Sequence, residues 1–215
     1  MPTLLHLDSS AAPGRSNTRA IGRTFADTWR AVSSDHVVVY RDLHATPPPH
    51  LADATLHFAA RLRPADAHPP AEAEATQSEL LDELLGADVL LVGAPLYNYS
   101  VPSSLKAWID HIHVPGVTAP FDEPSQPLAG RPAVVVTSQG GTYTADSPTA
   151  GWDHGVPVLE LILGQALGMS VDVITTSLAL AESVPALASE IPRSRRELAA
   201  AHQRAAELAQ ALGGA

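Results

Sequence analysis

The chain has 215 residues, of which 45% are hydrophobic and 17% charged, and this composition excludes an intrinsically disordered protein. Its 13 lysines and arginines against 23 aspartates and glutamates give a net charge of −10, which argues against wrapping nucleic acid or lying on anionic lipid. The lack of cysteine excludes disulfides, thiol nucleophiles and cysteine-ligated zinc. With no signal-peptide pattern and no bilayer-length apolar run, we expect one soluble, cytoplasmic domain over residues 1–215.

Five segments are predicted to form β-strands because they are short, apolar and rich in β-branched residues. In chain order they cover residues 3–8, 36–41, 88–92, 132–138 and 170–176. The third and fourth are continuously apolar at their centres, which is typical of parallel strands that are covered on both faces.

Amphipathic stripes predict helices between these strands and after the last one. In chain order they run from Ile21 to Val32, Leu80 to Leu85, Leu105 to Ile112 and Val158 to Leu167, before a final helix over 194–212. Gly86 and Gly168 are expected to end the second and fourth helices, and Pro102 to lie in the first turn of the third. The Pro- and His-rich stretch 43–70 is expected to run over the surface, with one short helix at 52–62.

This alternation of strands and helices predicts an α/β three-layer sandwich, a five-stranded parallel sheet with helices on both faces. Right-handed crossovers leave few topologies, and the flavodoxin-like strand order 2-1-3-4-5 is the simplest of them. In such sheets ligands bind beyond the carboxyl ends of the strands, at the switch point beside strand 1. The loops after strands 1, 3 and 4 are therefore where we expect the functional site.

The loop after the first strand leads directly into a helix and offers hydrogen-bond donors to an anion. A helix N-terminus carries unpaired amides and about half a positive charge, and the hydroxyls of Ser10, Ser16 and Thr18 add further donors. Taken alone, Ser16 or Asn17 is better explained as a simple N-cap of the helix. Because neither a GxGxxG fingerprint nor a P-loop lysine is present, a phosphate here would be held by hydroxyls and amides.

The loops after the third and fourth strands are rich in aromatic residues and glycine. The first contains Pro-Leu-Tyr-Asn-Tyr at 95–99, and the second contains Gly140-Gly141, where backbone amides can approach a flat ligand closely. Each motif taken alone is also explained by an ordinary turn. Half of the ten aromatic residues fall in or beside these loops: Tyr97, Tyr99, Phe121, Tyr143 and Trp152. Together with the anion site, they predict a pocket for a planar ring that carries a phosphate.

Four motifs occur in a characteristic order: 8–10 with 16–18, the block 94–110, 116–118, and 137–143. In this order they resemble the FMN-dependent NAD(P)H azoreductases and quinone reductases of bacteria, and the block 94–110 is the most specific part of a match over most of the chain. The resemblance implies a flavodoxin-like fold, FMN as cofactor and NADH or NADPH as electron donor. It also implies a homodimer with the active site at its interface.

The resemblance also implies a role for each matching position. The FMN phosphate would be held by Ser10, Ser16, Asn17 and Thr18. The isoalloxazine ring would be lined by Pro95, Leu96, Tyr97, Asn98 and Tyr99. Its pyrimidine end would be wrapped by Ser138, Gln139, Gly140 and Gly141, with Tyr143 nearby. Phe121 would lean over the flavin of the partner subunit. Independently of the resemblance, His154 is the one acid expected near the substrate, because it stands close to Trp152 in the sequence, and no residue is predicted to be an obligatory catalytic group.

Several positions depart from the family pattern. Gln139 stands where the family often has arginine, Ala119 where an aromatic residue is common, and Phe121 where tyrosine is common. After strand 5 the chain has Ser-Leu-Ala at 177–179 instead of an acidic residue and a glycine. These differences leave the acceptor and the choice between NADH and NADPH open.

The function implied by the resemblance is ping-pong transfer of hydride from NAD(P)H through FMN to flat acceptors such as quinones and azo compounds. Two alternatives stay open: an FMN reductase of a specific secondary-metabolite intermediate (a quinone, nitro compound, imine or alkene), and a non-catalytic FMN electron carrier. A response regulator is excluded, because an aspartate would have to end the third strand, where the chain has Gly93-Ala94-Pro95. His111 and His113 would point to different faces of a helix, so no metal site is predicted.

Overall fold

One parallel β-sheet organises the computed structural model, which describes residues 1–214. Its strands are β1 (Thr3–Asp8), β2 (Val37–Asp42), β3 (Val89–Gly93), β4 (Pro132–Ser138) and β5 (Ser170–Thr176). They lie in the order β2-β1-β3-β4-β5 with every neighbouring pair parallel, which confirms the predicted topology. The predicted bounds of β2 and β3 are each shifted by one residue.

Helices connect the strands and close the chain: α1 (Asn17–Val32), α2 (Ala71–Gly86), α3 (Ser103–Ile112), α4 (Gly155–Leu159) and α5 (Ile191–Gly213). A π-helical segment, Glu160–Ala166, continues α4, and the chain then turns at Gly168, whose φ of +75° favours glycine. The single short helix predicted at 52–62 is wrong. Two 3-10 turns, Ala54–His57 and Ala60–Leu62, stand there instead, because Phe58 between them has an extended backbone.

The sheet separates two apolar clusters, as the three-layer prediction requires. Successive strand residues alternate between them: Leu4 packs on one side and Leu5 on the other. Helices α1 and α5 cover the first side, where Phe25 and Trp29 are fully buried. Helices α2, α3 and α4 cover the second side, which includes Trp108. Each such buried side chain stabilises the fold by about 1.5–3 kcal/mol.

Backbone hydrogen bonds extend past the ends of the strands and bring three loops together. Ser9 N–H donates to the Gly93 carbonyl at 3.2 Å, and Leu96 N–H donates to Ser138 at 3.0 Å. Gln139 N–H donates to Thr176 at 2.9 Å. The loops after β1, β3 and β4 therefore start side by side at one edge of the sheet.

No helix within residues 1–214 combines the length and the apolar character that crossing a bilayer demands.

Candidate functional site

A cavity of about 360 Å³ opens at the carboxyl ends of β1, β3 and β4. That volume lies in the usual range for small-molecule sites. Eight of the residues singled out from the sequence line it: Ser10, Ser16, Asn17, Pro95, Leu96, Tyr97, Ser138 and Gly140. We call this space the loop cavity.

The polar end of the loop cavity lies at the start of α1. Ser16 is the N-cap of this helix, as the sequence had suggested, since its Oγ accepts from Arg19 N–H at 3.3 Å. Thr18 is fully buried and reaches the cavity only through Ser16, whose Oγ lies 2.9 Å from Thr18 Oγ1. Arg15 also lines the cavity and, within residues 1–214, has no carboxylate partner within 4.0 Å. Sequence reasoning missed this cation, although its place directly before the N-cap serine was a usable signal.

A tight turn at 97–100 contributes Tyr97, the aromatic residue in the wall of the loop cavity. Tyr97 and Ser100 exchange backbone hydrogen bonds of 2.9 and 3.0 Å, while Asn98 and Tyr99 between them have φ of +48° and +69°. Both values lie in the left-handed region, as in the two-residue turns that join hairpin strands. The Tyr97 hydroxyl lies 3.2 Å from Ser10 Oγ and accepts from the amide of Ala11 at 3.0 Å. Tyr97 therefore fixes the loop after β1 to the loop after β3.

Three aromatic side chains cluster beside this turn. The Tyr99 ring packs edge-on against Trp152 and Tyr143, with ring centroids 5.3 and 6.2 Å apart. Tyr99 and Trp152 remain about half exposed. Burial, then Tyr99 and Asp153, raise the pKa of Tyr143 above its ordinary value. The cluster offers a flat, partly wet apolar surface with a neutral phenol.

A second, larger cavity of about 670 Å³ shares the Tyr97 wall with the first. Asn98, Lys106 and His154 are among its lining residues. The backbone N–H of His154 donates to the Tyr99 carbonyl at 2.9 Å, so His154 is held next to the turn. The structure thus brings His154 together with Asn98, although not into the loop cavity.

The glycine turn after β4 closes the far side of the loop cavity. A Cβ atom at Gly140 would stand 2.9 Å from Leu180 Cδ1, whereas a Cβ at Gly141 would meet open space. Leu180, which sequence reasoning also missed, lines the cavity and is half exposed. Gln139 is buried, and its side chain is directed to Asp153 and Ser177.

Phe121 lies apart from the other predicted aromatic residues. It is 64% exposed and packs edge-on against Phe58, with ring centroids 5.8 Å apart. An ion pair of 2.7 Å between Arg61 and Asp122 holds the same segment. Within residues 1–214, neither cavity is lined by Phe121.

A network of charged residues around Arg19 and Asp42 holds the loop after β1 in place. Arg19 makes two hydrogen bonds of 2.7 and 2.8 Å to Asp42 and donates to the Ser10 carbonyl at 2.8 Å. Arg19 is the first cause that lowers the pKa of Asp42 to about 2. Burial and Asp8, which accepts from the Tyr40 hydroxyl at 3.0 Å, raise the pKa of Tyr40 to about 12. This network holds Ser10 at the cavity and was not evident from the sequence.

A parallel five-stranded sheet in the order β2-β1-β3-β4-β5, with helices on both faces, defines the class of α/β proteins with a flavodoxin-like fold. The chain belongs to the family described as having a flavodoxin-like fold, which matches residues 2–208. It is 57% identical over 212 residues to an FMN-dependent NADH:quinone oxidoreductase of Kineococcus radiotolerans, covering 99% of this chain and 100% of that protein. A protein of the same name from Frankia casuarinae is 43% identical over 206 residues, covering 94% and 97%.

Solved structures agree on the fold. An azoreductase from Bacillus anthracis superposes with a TM-score of 0.81 at 20% identity, covering 98% of this chain and 99% of that one. An FMN-dependent NADH-azoreductase from the same species, in complex with FMN, superposes with a TM-score of 0.77 at 18% identity, covering 99% and 100%. At these identities the likeness supports the flavodoxin-like architecture alone.

Proposed function

We propose that this chain is an FMN-dependent oxidoreductase that passes hydride from NADH to quinones and azo compounds. The observation that carries the proposal is the loop cavity, which joins an anion-binding end to an aromatic wall. Its dimensions and its donors suit a planar ring with a phosphate tail. The full-length relative from Kineococcus radiotolerans supports the same activity. We assign residues 1–215 to a single FMN-binding domain in the cytoplasm.

The residues of the loop cavity fit FMN in their chemistry. Ser10, Ser16 and Asn17 offer hydroxyl and amide donors at the start of α1, and Arg15 adds a positive charge for the phosphate. Pro95, Leu96 and Tyr97 supply the apolar surface that an isoalloxazine ring requires. The site therefore offers a charged end for the phosphate of FMN and an apolar end for its ring.

When bound, FMN would take up hydride from NADH and pass it to a second substrate in a ping-pong cycle. The chain's own residues then have supporting tasks. The amides of Gly140 and Gly141 would act as fixed dipoles towards negative charge on the bound ring. Asn98, on the wall of the larger cavity beside Tyr97, would offer an amide hydrogen bond to the ring from that side. Tyr99, Tyr143 and Trp152 give the nicotinamide and the acceptor an apolar surface.

The acceptor side needs no obligatory acid. Quinones and azo compounds can take protons from water, and His154, on the wall of the larger cavity, is the side chain placed to assist. Phe121, where the family commonly has tyrosine, would make the roof over the partner subunit's site less polar, whereas Ala119 is buried in the core of its own subunit. We therefore favour flat, apolar acceptors.

We also propose that two copies of the chain form the working enzyme. In one subunit Phe121 is largely exposed and lies apart from the loop cavity, while Tyr99 and Trp152 leave apolar faces uncovered. A homodimer would cover these faces and let Phe121 contact the flavin site of the partner subunit.

A visible spectrum of the purified protein, followed by anaerobic addition of NADH and NADPH, tests the proposal. We expect flavin absorption bands that bleach within seconds and return when a quinone is added. Bleaching over many minutes would favour an electron carrier, or an enzyme reduced by another donor. A colourless protein that takes up no added FMN would refute the assignment of the loop cavity.

A further inference from the structure

The carboxylate of Asp153 lies behind the glycine turn that follows β4. Its Oδ2 accepts from Gln139 Nε2 at 2.7 Å. Its Oδ1 accepts from the amides of Gly155 and Val156 at 2.7 and 3.1 Å, at the start of α4. Both oxygens are therefore fixed, one by the turn and the other by the helix.

Gln139 holds this carboxylate against the wall of the loop cavity. Gln139 is only 6% exposed, and its backbone N–H and carbonyl are bonded to Thr176 and Ala179, each at 2.9 Å. Its chain neighbours Ser138 and Gly140 line the cavity. One rigid amide side chain thus separates Asp153 from the strand end that forms the wall.

No cation balances the charge of Asp153. Within residues 1–214, no lysine, arginine or histidine nitrogen lies within 4.0 Å of its carboxylate, and its partners are neutral amides. Its field reaches the aromatic cluster, because Asp153 contributes, after burial and Tyr99, to the raised pKa of Tyr143. A charge that is partly buried and unpaired acts over a longer range than an exposed one.

We propose that Asp153 lowers the reduction potential of the bound flavin and that Gln139 is the positioning residue that holds it in place. The inference rests on the proposed function, because it requires FMN with its pyrimidine end against Gly140 and Gly141. Reduction adds negative charge to that end of the ring, near N1 and O2, and a fixed carboxylate close by disfavours that charge. An arginine at position 139 would pair with Asp153 and cancel its field.

The test compares midpoint potentials of FMN-loaded proteins, measured against a reference dye during slow anaerobic reduction. For both Asp153→Asn and Gln139→Arg we expect FMN binding to shift at least tenfold towards the reduced form, which is a rise of about 30 mV for a two-electron couple. Asp82→Asn removes a charge from the exposed face of α2 and should leave the potential unchanged. Gln139→Met breaks the hydrogen bond but keeps the charge, so its shift should be smaller than either.

Other potentials in these variants would contradict the inference. Unchanged potentials in Asp153→Asn and Gln139→Arg overturn the inference while leaving FMN binding intact. An unchanged potential in Gln139→Met overturns the positioning role of Gln139, since the carboxylate would then act without the hydrogen bond that is proposed to hold it. If Asp153→Asn does not fold, Gln139→Arg decides, because it keeps both amide contacts of Asp153. A wild-type protein that takes up no FMN refutes the proposed function and this inference with it.

Discussion

Replacing Asp42 by asparagine tests whether the charged network under the loop after β1 stabilises the fold. The side chain of Asp42 is 21% exposed and receives two hydrogen bonds from Arg19. An asparagine can keep the backbone contacts of Asp42 Oδ1 with His44 and Ala45, at 2.9 and 3.1 Å. What it removes is the charge opposite Arg19.

The size of the effect follows from the pKa of Asp42. A fall from the usual 3.8 to about 2 corresponds to roughly 2 kcal/mol of folding free energy, at about 1.4 kcal/mol per pH unit. Because the folded-state pKa is the lower one, this stability is present above pH 4 and is lost as the pH falls from about 4 towards 2. Asp42→Asn should therefore unfold more easily than the wild type at pH 7 by about 2 kcal/mol, and by about half as much at pH 3.

Urea unfolding of both proteins at pH 7, 5 and 3 measures this difference. Asp27→Asn is the matched control, since Asp27 also pairs with an arginine of α1, Arg30, but both side chains are more than half exposed. Its effect should be much smaller at every pH. An Asp42→Asn protein as stable as the wild type at pH 7 would refute the reasoning, and so would a difference that stays constant down to pH 3.

Three further changes have expected outcomes that ordinary assays can check. Gly22→Ala should destabilise the protein by about 1–3 kcal/mol, because the new Cβ would stand 2.7 Å from the Nε2 of buried His6. Gly86→Ala is the control and should not destabilise the protein, because its new Cβ would meet open space. Equal melting temperatures of the two variants in thermal unfolding would contradict this prediction. Arg15→Ala should weaken FMN binding about tenfold at low salt but leave riboflavin binding unchanged in fluorescence titrations, whereas equal losses would show that Arg15 does not contact the phosphate. Asn98→Leu should weaken FMN binding or slow its reduction by NADH at least tenfold. Asn98→Gly accepts the φ of +48°, so it separates the loss of the amide from backbone strain. Unchanged activity in both variants would argue against a role of Asn98 at the flavin.

The fold could be predicted from the sequence because buried parallel strands have continuous apolar runs and the helices that cover them have apolar stripes. The backbone geometry of the loops could not be predicted in the same way. Phe58, in a stretch that resembled a helix, is extended and packs against Phe121 from a loop more than sixty positions away. No local pattern encodes such a contact.

For the candidate site, the sequence indicated many of the lining residues but few of the contacts between residues of different loops. The serines after β1 and the Tyr97 turn stand in the loops where parallel sheets bind ligands, so topology alone brought them together. Arg15 was missed because a single arginine in a loop has no periodic signal, and its position directly before the N-cap serine was the one indication in the sequence. Asp153 was missed because its partner, Gln139, comes from a different loop. Pairings between loops depend on the finished sheet.

The wall of the loop cavity runs from Ser10 to Leu180, almost the whole length of the chain. During synthesis at roughly 5–20 residues per second, the phosphate end would precede the opposite wall by roughly 10–30 s. A growing chain that has reached only β3 has the proposed phosphate-binding residues but none of the later residues that line the loop cavity. We therefore expect the cofactor to enter after translation, so that the supply of holoenzyme in a cell depends on free FMN at that late moment.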